Sequence, residues 1–265
     1  MEALIMETLR TETPNRQAML AVVRQTLAAD FACAADNFTQ AGVFITKAKE
    51  LAGRRRFPFQ PISFKMMTMG ASVVITCSAD RLAWAQTQLS HLDRNTLFSI
   101  ATFSRLAVLV ECDGQVMAGP DPKYICASDT FRPAPAPRGV SIELVTAAQI
   151  PELYAHPGFY NALGYQLASP RPDVLATVAY HKQTIVGIAG ASADSDELWQ
   201  VGVDVFPAYQ GRGIGKALVS QLTAAILAAG KAPYYTAALS NLRSSHVALS
   251  LGYWLAWLEV YALDR

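Results

Sequence analysis

The chain has 265 residues, of which 52% are hydrophobic and 16% charged, and its formal net charge at pH 7 is +1. This composition is sufficient for one large or two ordinary globular domains and excludes a disordered chain. The near-zero net charge argues against nucleic acid and against an anionic membrane surface as partners.

Four cysteines lie far apart and form no C-x-x-C pair: Cys33, Cys77, Cys112 and Cys126. This spacing disfavours a zinc site or a disulfide framework and predicts free thiols and no bound metal. The first residues lack the basic segment of a signal peptide, and Glu7, Arg10 and Glu12 interrupt any apolar run. No apolar segment has the length of a membrane span. We therefore expect a cytoplasmic protein.

The first part of the chain predicts helices. Apolar residues recur with helical spacing through residues 14–53, and a second amphipathic stretch covers 38–51. The basic run Arg54 to Arg56 is expected to form a solvated face or to complement the end of a helix. Residues 54–64 contain Pro58 and Pro61 and predict a connector.

A small mixed α/β unit is predicted next. The β-branched residues 71–77 favour a strand, and residues 79–89 favour a helix. Residues 97–103 fit a helix or a strand equally well. Residues 106–111 predict a strand, followed by a turn at Gly114. No motif in this half carries recognisable chemistry.

Alternating prolines mark a domain boundary. Pro133, Pro135 and Pro137 favour extended polyproline II geometry, which suits a semi-rigid linker. The sequence therefore predicts an N-terminal domain over residues 1–132 and a C-terminal domain over residues 139–265.

The C-terminal part predicts the order β-α-loop-β-β-β-α-β-α-β, a mixed sheet with helices on both faces. Strands are expected at residues 140–145, 174–181, 185–191, 197–206, 234–239 and 253–263. Helices are expected at residues 146–154, 217–229 and 242–251. In the first helix Thr146 is the expected cap, and Pro151 is expected to end or distort it.

A glycine-rich loop lies between the strand 197–206 and the helix 217–229; its residues are Gln210, Gly211, Arg212, Gly213, Ile214, Gly215 and Lys216. Such a turn presents free backbone N–H groups and the positive end of a helix dipole, which together suit a phosphate. A nucleoside triphosphatase loop is disfavoured because Ala217 stands where a Ser or Thr would bind magnesium. The G-x-G-x-G spacing fits the dinucleotide fingerprint poorly, and an ordinary tight turn remains an alternative.

Gln210, Gly213 and Gly215 match Gln/Arg-x-x-Gly-x-Gly/Ala, which resembles the pyrophosphate loop of the GNAT superfamily of acetyl-CoA-dependent N-acetyltransferases. A late segment of the chain is similar to that superfamily as well, through Asn241, Ser244, Val247, Gly252 and Tyr253. The element order of residues 139–265 also resembles the GNAT fold. The resemblance implies an α/β protein whose C-terminal GNAT-like acyl-CoA N-acyltransferase fold follows a helical and small α/β N-terminal domain. A degenerate copy of the same fold is an alternative for that first domain.

The resemblance implies an acetyl-CoA site in a gap between the strands 197–206 and 234–239, and no metal. The residues assigned in this way are Val203 and Val205 for the pantetheine arm, the N–H groups of Gly211, Arg212, Gly213, Ile214, Gly215 and Lys216 for the pyrophosphate, and Gln210, Asn241 and Ser244 for the loop and arm. For Ser244 a helix-capping role is an equal alternative.

The implied reaction is direct attack of a neutral primary amine on the thioester, which needs a base, an oxyanion donor and an acid. Glu197 is the first candidate for the base, and Asp204, inside an apolar run, is the second. The backbone N–H near Val203 would stabilise the oxyanion. Many superfamily members carry, at the position of Ala248, a tyrosine that protonates the leaving thiolate. In this chain the general acid is therefore another residue, is replaced by water, or is absent.

The acceptor is expected between the loop 156–173 and the last strand, whose aromatic residues are Phe159, Tyr160, Tyr165, Trp254 and Trp257. This lining favours a small or amphipathic amine, with a peptide amine as an alternative. A non-catalytic acyl-CoA-binding sensor or interaction module is the competing function, and a longer acyl donor is a further alternative. The aromatic last strand is compatible with a homodimer.

Overall fold

The computed structural model describes residues 14–57 and 61–265. The predictions made for the first residues and for Pro58 fall outside the described residues. No helix of the described part is long and apolar enough to cross a membrane.

The first half contains four helices and four strands within the described residues, together with short 3₁₀ turns. In chain order these are α1 (Arg16–Asp30), β1 (Gly42–Lys47), β2 (Phe64–Thr68), β3 (Ser72–Cys77), α2 (Leu82–Leu89), α3 (Arg94–Leu97), α4 (Ile100–Glu111) and β4 (Gln115–Ile125).

The second half follows the predicted order closely. Its elements are β5 (Val140–Thr146), α5 (Ile150–Leu153), β6 (Asp173–His181), β7 (Thr184–Ala193), β8 (Leu198–Val205), α6 (Ile214–Ala228), β9 (Ala232–Thr236), α7 (Leu242–Ser250) and β10 (Trp254–Asp264). The predicted α/β class with a mixed sheet is confirmed.

All strands of the described residues lie in one sheet, in the order β1-β3-β2-β10-β4-β9-β8-β7-β6-β5. The β1–β3 and β8–β9 pairs are parallel, and the remaining pairs are antiparallel. A strand of the first half, β4, therefore lies between two strands of the second half, β9 and β10. The domain boundary at the proline segment stays a prediction, and the sheet is continuous across it.

Two element predictions in the first half are wrong. Residues 42–47 of the expected second helix form β1, whose backbone pairs with β3 along its whole length. Residues 106–111 belong to α4 and not to a strand. Helical spacing explains this, because Thr102, Leu106 and Val110 recur every four residues and form the buried face of α4.

In the second half, the helix α5 begins later than predicted. Thr146 is the last residue of β5, and α5 starts at Ile150. Pro151 lies in the first turn of this helix, where a backbone N–H would have no acceptor within the helix, so the absence of that N–H costs no hydrogen bond. Pro151 is therefore compatible with the start of the helix and does not end it.

The proline segment packs against the C-terminal helices. The Ala134 N–H donates to Ser220 Oγ of α6 at 2.8 Å, and the Arg132 N–H donates to the Leu251 carbonyl oxygen at 2.9 Å. A methyl group at Gly252 would lie 1.8 Å from the Thr130 carbonyl oxygen, so the segment crosses the end of α7 in direct contact. These contacts fix the path of the segment along the fold.

A buried charge cluster joins the two halves of the chain; it consists of Asp30, Arg55, Lys65 and Glu259. The Lys65 Nζ lies 2.7 Å from Asp30 Oδ2 and 3.0 Å from Glu259 Oε1. The Arg55 Nη2 lies 2.8 Å from Glu259 Oε2. Arg55 is thus buried, which corrects the expectation of a solvated basic face. Burial alone would raise the pKa of Glu259, but the charges of Arg55, Lys65 and nearby Lys123 hold it well below its usual range.

Candidate active site

The strands β8 and β9 separate before β8 ends. Their parallel pairing runs from Leu198 to Val201 on β8, and β9 stops at Thr236. β8 continues to Val205 with β7 on its other side. Within the described residues, no strand pairs with residues 202–205 on the β9 side. The backbone groups at this split are therefore available to an extended ligand.

A cleft of about 1100 Å³ opens at the split. All residues predicted for the cofactor except Arg212 line it: Val203, Val205, Gln210, Gly211, Gly213, Ile214, Gly215, Lys216, Asn241 and Ser244. Arg212 lies back on the loop instead, with its guanidinium 5.4 Å from the Tyr209 ring centroid and its Nη2 donating to the Ala208 carbonyl oxygen at 3.0 Å.

The glycine-rich loop forms the anion-binding end of this cleft. Gly211 and Gly213 have φ angles of +75° and +81°, in the left-handed region that favours glycine. Gly213 is the N-cap of the 15-residue helix α6, and no side chain of the described residues caps it. The first N–H groups of α6 and its dipole thus suit a pyrophosphate.

Three polar side chains of the motifs hold the walls of the cleft. Gln210 Nε2 donates to the Val205 carbonyl oxygen at 2.9 Å, which ties the loop to the end of β8. Asn241 Oδ1 accepts from the Ser244 N–H at 3.1 Å and caps α7. The Ser244 hydroxyl is 2.7 Å from the Tyr235 hydroxyl. These contacts show how the motif residues shape the cleft.

Basic residues also line the cleft. Lys216 was expected there, whereas Arg243 and His246 on the exposed side of α7 were not assigned to the cofactor from the sequence. The available signal was that Arg243 and His246 are three residues apart on the helix that follows Asn241, which places them on one side of it. Positive charge at this rim favours a ligand with several phosphate groups.

Glu197, the first candidate for the base, lies at the opposite end of β8 from the split. It lies six residues before Val203, a distance of about 20 Å along an extended chain. Its Oε1 is 3.2 Å from Lys231 Nζ, and the side chain is 49% exposed. Contrary to the prediction, the structure does not bring Glu197 to the cleft, because the strands separate only after Val201.

Asp204, the second candidate, fastens a loop. Its Oδ2 accepts from the Asn161 N–H at 2.7 Å and from the Ala162 N–H at 3.1 Å, and its Oδ1 accepts from Asn161 Nδ2 at 2.6 Å. Both oxygens of Asp204 are thus engaged by residues 161 and 162, and this geometry assigns the side chain to the loop.

The two faces of β8 contact different parts of the chain, because successive side chains of a strand point to opposite sides of the sheet. Val203 and Val205 approach Gly215, at the start of α6. Gly202 faces the other side, where a methyl group would lie 1.8 Å from the Asn161 carbonyl oxygen. The segment 159–163 therefore lies directly on the sheet, opposite the glycine-rich loop.

A second cavity, of about 350 Å³, adjoins the cleft; we call it the inner cavity. It shares Val203, Tyr235, Asn241 and Ser244 with the cleft, and it extends to Asp121 of β4. A third cavity, of about 210 Å³, adjoins the inner cavity through Asn161, Gln200 and Gly202. The three cavities are thus contiguous along the split.

The loop 156–173 contributes polar as well as aromatic residues to the third cavity. Among the expected aromatic residues, Tyr160 lines this cavity, beside the charged side chains of Arg171 and Asp173. Phe159 is buried, with its ring centroid 4.8 Å from that of Phe206. Trp257 of the last strand is buried in the core, and the Trp254 ring lies 4.7 Å from the Arg16 guanidinium, so neither side chain lines the three cavities.

Tyr235 is a residue that sequence reasoning missed. It lies on β9 at the split and lines both the cleft and the inner cavity. Burial raises the pKa of its hydroxyl, with the Ser244 contact acting in the opposite direction. The hydroxyl is therefore protonated at neutral pH and can donate a proton. Ala248, at the position of the usual tyrosine, is fully buried and has no such group.

The part of the chain that the structure describes holds no group of three or more His, Cys, Asp or Glu side chains suited to a metal ion.

Comparison with protein families matches residues 143–253 to the Acetyltransferase (GNAT) family. A search of curated proteins found no match. Similar solved structures include a GCN5-related N-acetyltransferase from Kribbella flavida, 18% identical, with a TM-score of 0.47 over 60% of this chain and 63% of that one. A GCN5-related N-acetyltransferase-like protein from Streptococcus suis is 22% identical, with a TM-score of 0.44 over 61% of this chain and 67% of that one.

A Drosophila protein is 11% identical, with a TM-score of 0.45, and the similarity covers 99% of this chain and 95% of that one. By contrast, this chain spans less than two thirds of the Kribbella flavida structure. The C-terminal resemblance predicted from the sequence is confirmed by the family match.

Proposed function

On the premise that the C-terminal part of this chain carries a GNAT acetyltransferase domain, we propose that the protein transfers an acetyl group from acetyl-CoA to a primary amine of an acceptor. The observation that carries this proposal is the coincidence of two features at one cleft. The split between β8 and β9 and the uncapped start of α6 open into the same space.

Acetyl-CoA supplies the activated thioester. The N–H groups at the start of α6 would bind its pyrophosphate, and Lys216 and Arg243 would add positive charge. The unpaired backbone of Val203 and Val205 would hold the pantetheine arm as a neighbouring strand would. In this arrangement the acyl carbon lies at the split, facing the inner cavity.

Direct attack would use the groups at the split. The amine nitrogen bonds to the thioester carbon, and the backbone N–H near Val203 stabilises the oxyanion. When the carbon–sulfur bond breaks, the Tyr235 hydroxyl is the nearest assigned proton donor for the thiolate. Tyr235 thus takes the role of the tyrosine that many superfamily members carry at the position of Ala248.

The polar inner and third cavities favour a small polar amine as the acceptor, in place of the amphipathic amine expected from the aromatic residues. A peptide amine remains an alternative acceptor.

The cofactor assignment is tested by calorimetric titration with acetyl-CoA. Gly213→Glu should weaken binding by about 100-fold or more, because the carboxylate repels the pyrophosphate and removes charge-assisted hydrogen bonds. Gly230→Glu is the matched control: Gly230 follows the other end of α6, with a φ of +71° and no atom within 4 Å of an added Cβ. Equal affinities for the two variants would reject the cleft as the acetyl-CoA site.

A non-catalytic acyl-CoA-binding module is the second candidate, favoured by the alanine at position 248. Both functions require binding, and only the enzyme releases free CoA thiol when an amine is added. Release of thiol with a panel of primary amines separates them, and titration with longer acyl-CoA molecules tests the choice of acyl donor.

A further inference from the structure

We infer that Asp121, from the first half of the chain, binds the ammonium group of the acceptor and receives its proton. This inference rests on the proposed acyl transfer and assigns its missing base.

The position of Asp121 follows from the sheet order. β4 lies between β9 and β10, and β9 ends at Thr236, which is paired with Lys123. Two residues before Lys123, Asp121 has passed the end of β9. The space that β9 would fill is the inner cavity, so Asp121 forms one wall of it while Gly202 and Val203 of β8 form another. Among the described residues that line this cavity, Asp121 is the only acidic one.

A local irregularity of β4 accompanies this placement. The register between β4 and β10 shifts between Glu259, opposite Asp121, and Tyr261, opposite Ala118. Gly119 lies in this bulge, and a methyl group there would be 2.5 Å from the Glu259 carbonyl oxygen. Bulges redirect side chains at functional sites.

One oxygen of Asp121 is held and the other is available. The Tyr261 hydroxyl donates to Oδ2 at 2.8 Å, and Lys123 Nζ lies 3.5 Å from the same oxygen. For Oδ1 the structure gives no donor among the described residues. The side chain is 25% exposed, which suits a group that meets a substrate from a cavity.

The charged and titratable groups that face Asp121 come from β4, β9 and β10. Burial and the Asp121 carboxylate raise the pKa of Tyr261, which therefore keeps its proton and donates it in a hydrogen bond. Lys123 shares the strand, and burial lowers its pKa. Glu259 lies opposite on β10 but is engaged by the buried charge cluster, and Tyr235 faces the same cavity from β9.

The proposed step is balanced. The ammonium of the acceptor transfers one proton to Asp121 Oδ1, and the nitrogen lone pair then forms the bond to the acyl carbon. The tetrahedral adduct loses the second amine proton to water, the carbon–sulfur bond breaks, and the CoA thiolate takes a proton from Tyr235. Tyr235 then takes back a proton from water and Asp121 releases its proton to water, so one proton leaves per turnover and both side chains return to their starting state.

The test compares Asp121→Asn with Glu197→Gln and with Glu143→Gln, a substitution at an exposed position of β5. With acetyl-CoA and an amine that the wild type accepts, Asp121→Asn should lower kcat by about 10²- to 10⁴-fold. Its affinity for acetyl-CoA and its melting temperature should stay at wild-type values. The loss should diminish as the pH approaches the pKa of the amine, because the free amine then needs no base. Both control variants should keep wild-type kcat.

Two variants give readouts that a merely structural role would not change. Asp121→Glu should restore part of the activity. Tyr261→Phe removes the hydrogen bond that orients the Asp121 carboxylate and should lower kcat while the Kd for acetyl-CoA stays at the wild-type value.

Wild-type kcat in Asp121→Asn, or loss confined to Glu197→Gln, would overturn the inference and leave the proposed function intact. Absence of acetyl-CoA binding or of thiol release in the wild type would instead overturn the proposed function, and this inference with it.

Discussion

Substitution of Glu259 by glutamine should destabilise the whole protein. Glu259 accepts from Arg55 Nη2 at 2.8 Å and from Trp257 Nε1 at 2.9 Å, and it pairs with Lys65 at 3.0 Å. With glutamine at position 259, Arg55 and Lys65 would share a single carboxylate in the cluster, that of Asp30. All four side chains of the cluster are at most 3% exposed, so water cannot screen the loss.

The expected loss is about 3–5 kcal/mol, the usual cost of removing one partner from a buried ion pair. This is a large part of the ~5–15 kcal/mol that stabilises a typical protein. Urea unfolding followed by circular dichroism at pH 7 measures it. The matched control is Glu111→Gln, because the Glu111–Arg265 pair is 60% exposed on both sides. That variant should lose less than about 1 kcal/mol.

The difference should also depend on pH. The folded-state pKa of Glu259 is lowered, so its contribution is fully present above the unfolded value of about 4.3 and is lost as the pH falls toward the folded value. The gap in stability between wild type and Glu259→Gln should therefore narrow below about pH 4. A loss no larger than that of Glu111→Gln, or a gap that widens in acid, would refute the reasoning.

Two further predictions concern the split. Gly202→Ala should cost about 1–3 kcal/mol in urea unfolding and raise the KM for the acceptor, because its methyl group collides with the Asn161 carbonyl oxygen. Ser141→Ala, at an exposed position of β5, should change neither value. Arg212→Ala should keep the affinity for acetyl-CoA within about threefold, since this side chain folds onto the loop. Lys216→Ala should weaken the affinity for acetyl-CoA by about tenfold in the same titration. An equal loss of affinity in Arg212→Ala and Lys216→Ala would show that the loop rearranges on binding.

The C-terminal elements could be predicted because each depends on a local pattern. The glycine-rich loop, the late motif and the hairpin strands are all contained in short segments, and the structure brings the loop and the late motif together at one cleft. Helix α4 shows the limit of this approach, because the apolar run 106–111 fits a strand unless the spacing back to Thr102 is included.

Non-local features could not be predicted. β4 contains Gly119, Pro120 and Pro122, which favour a loop, and its strand geometry depends on β9 and β10 on either side. Asp121 reaches the cavity only through that pairing. For Glu197, the alternation of side chains along a strand predicts which face of the sheet a residue takes. It does not predict the residue at which β9 separates from β8. The position of Glu197 away from the cleft therefore could not be predicted from the sequence.

The place of β4 in the sheet has a consequence for synthesis on the ribosome. β2 and β4 both pair with β10, which leaves the ribosome after the other nine strands of the described residues. Until then the nascent chain carries unpaired strand edges and the apolar side chains of Met66 and Met67, which the finished fold buries. Folding must wait for contacts between distant parts of the chain, which is slow and exposes the chain to aggregation. A product that terminates early, before β10, would lack the strand that joins both halves and would be a substrate for chaperones and proteases.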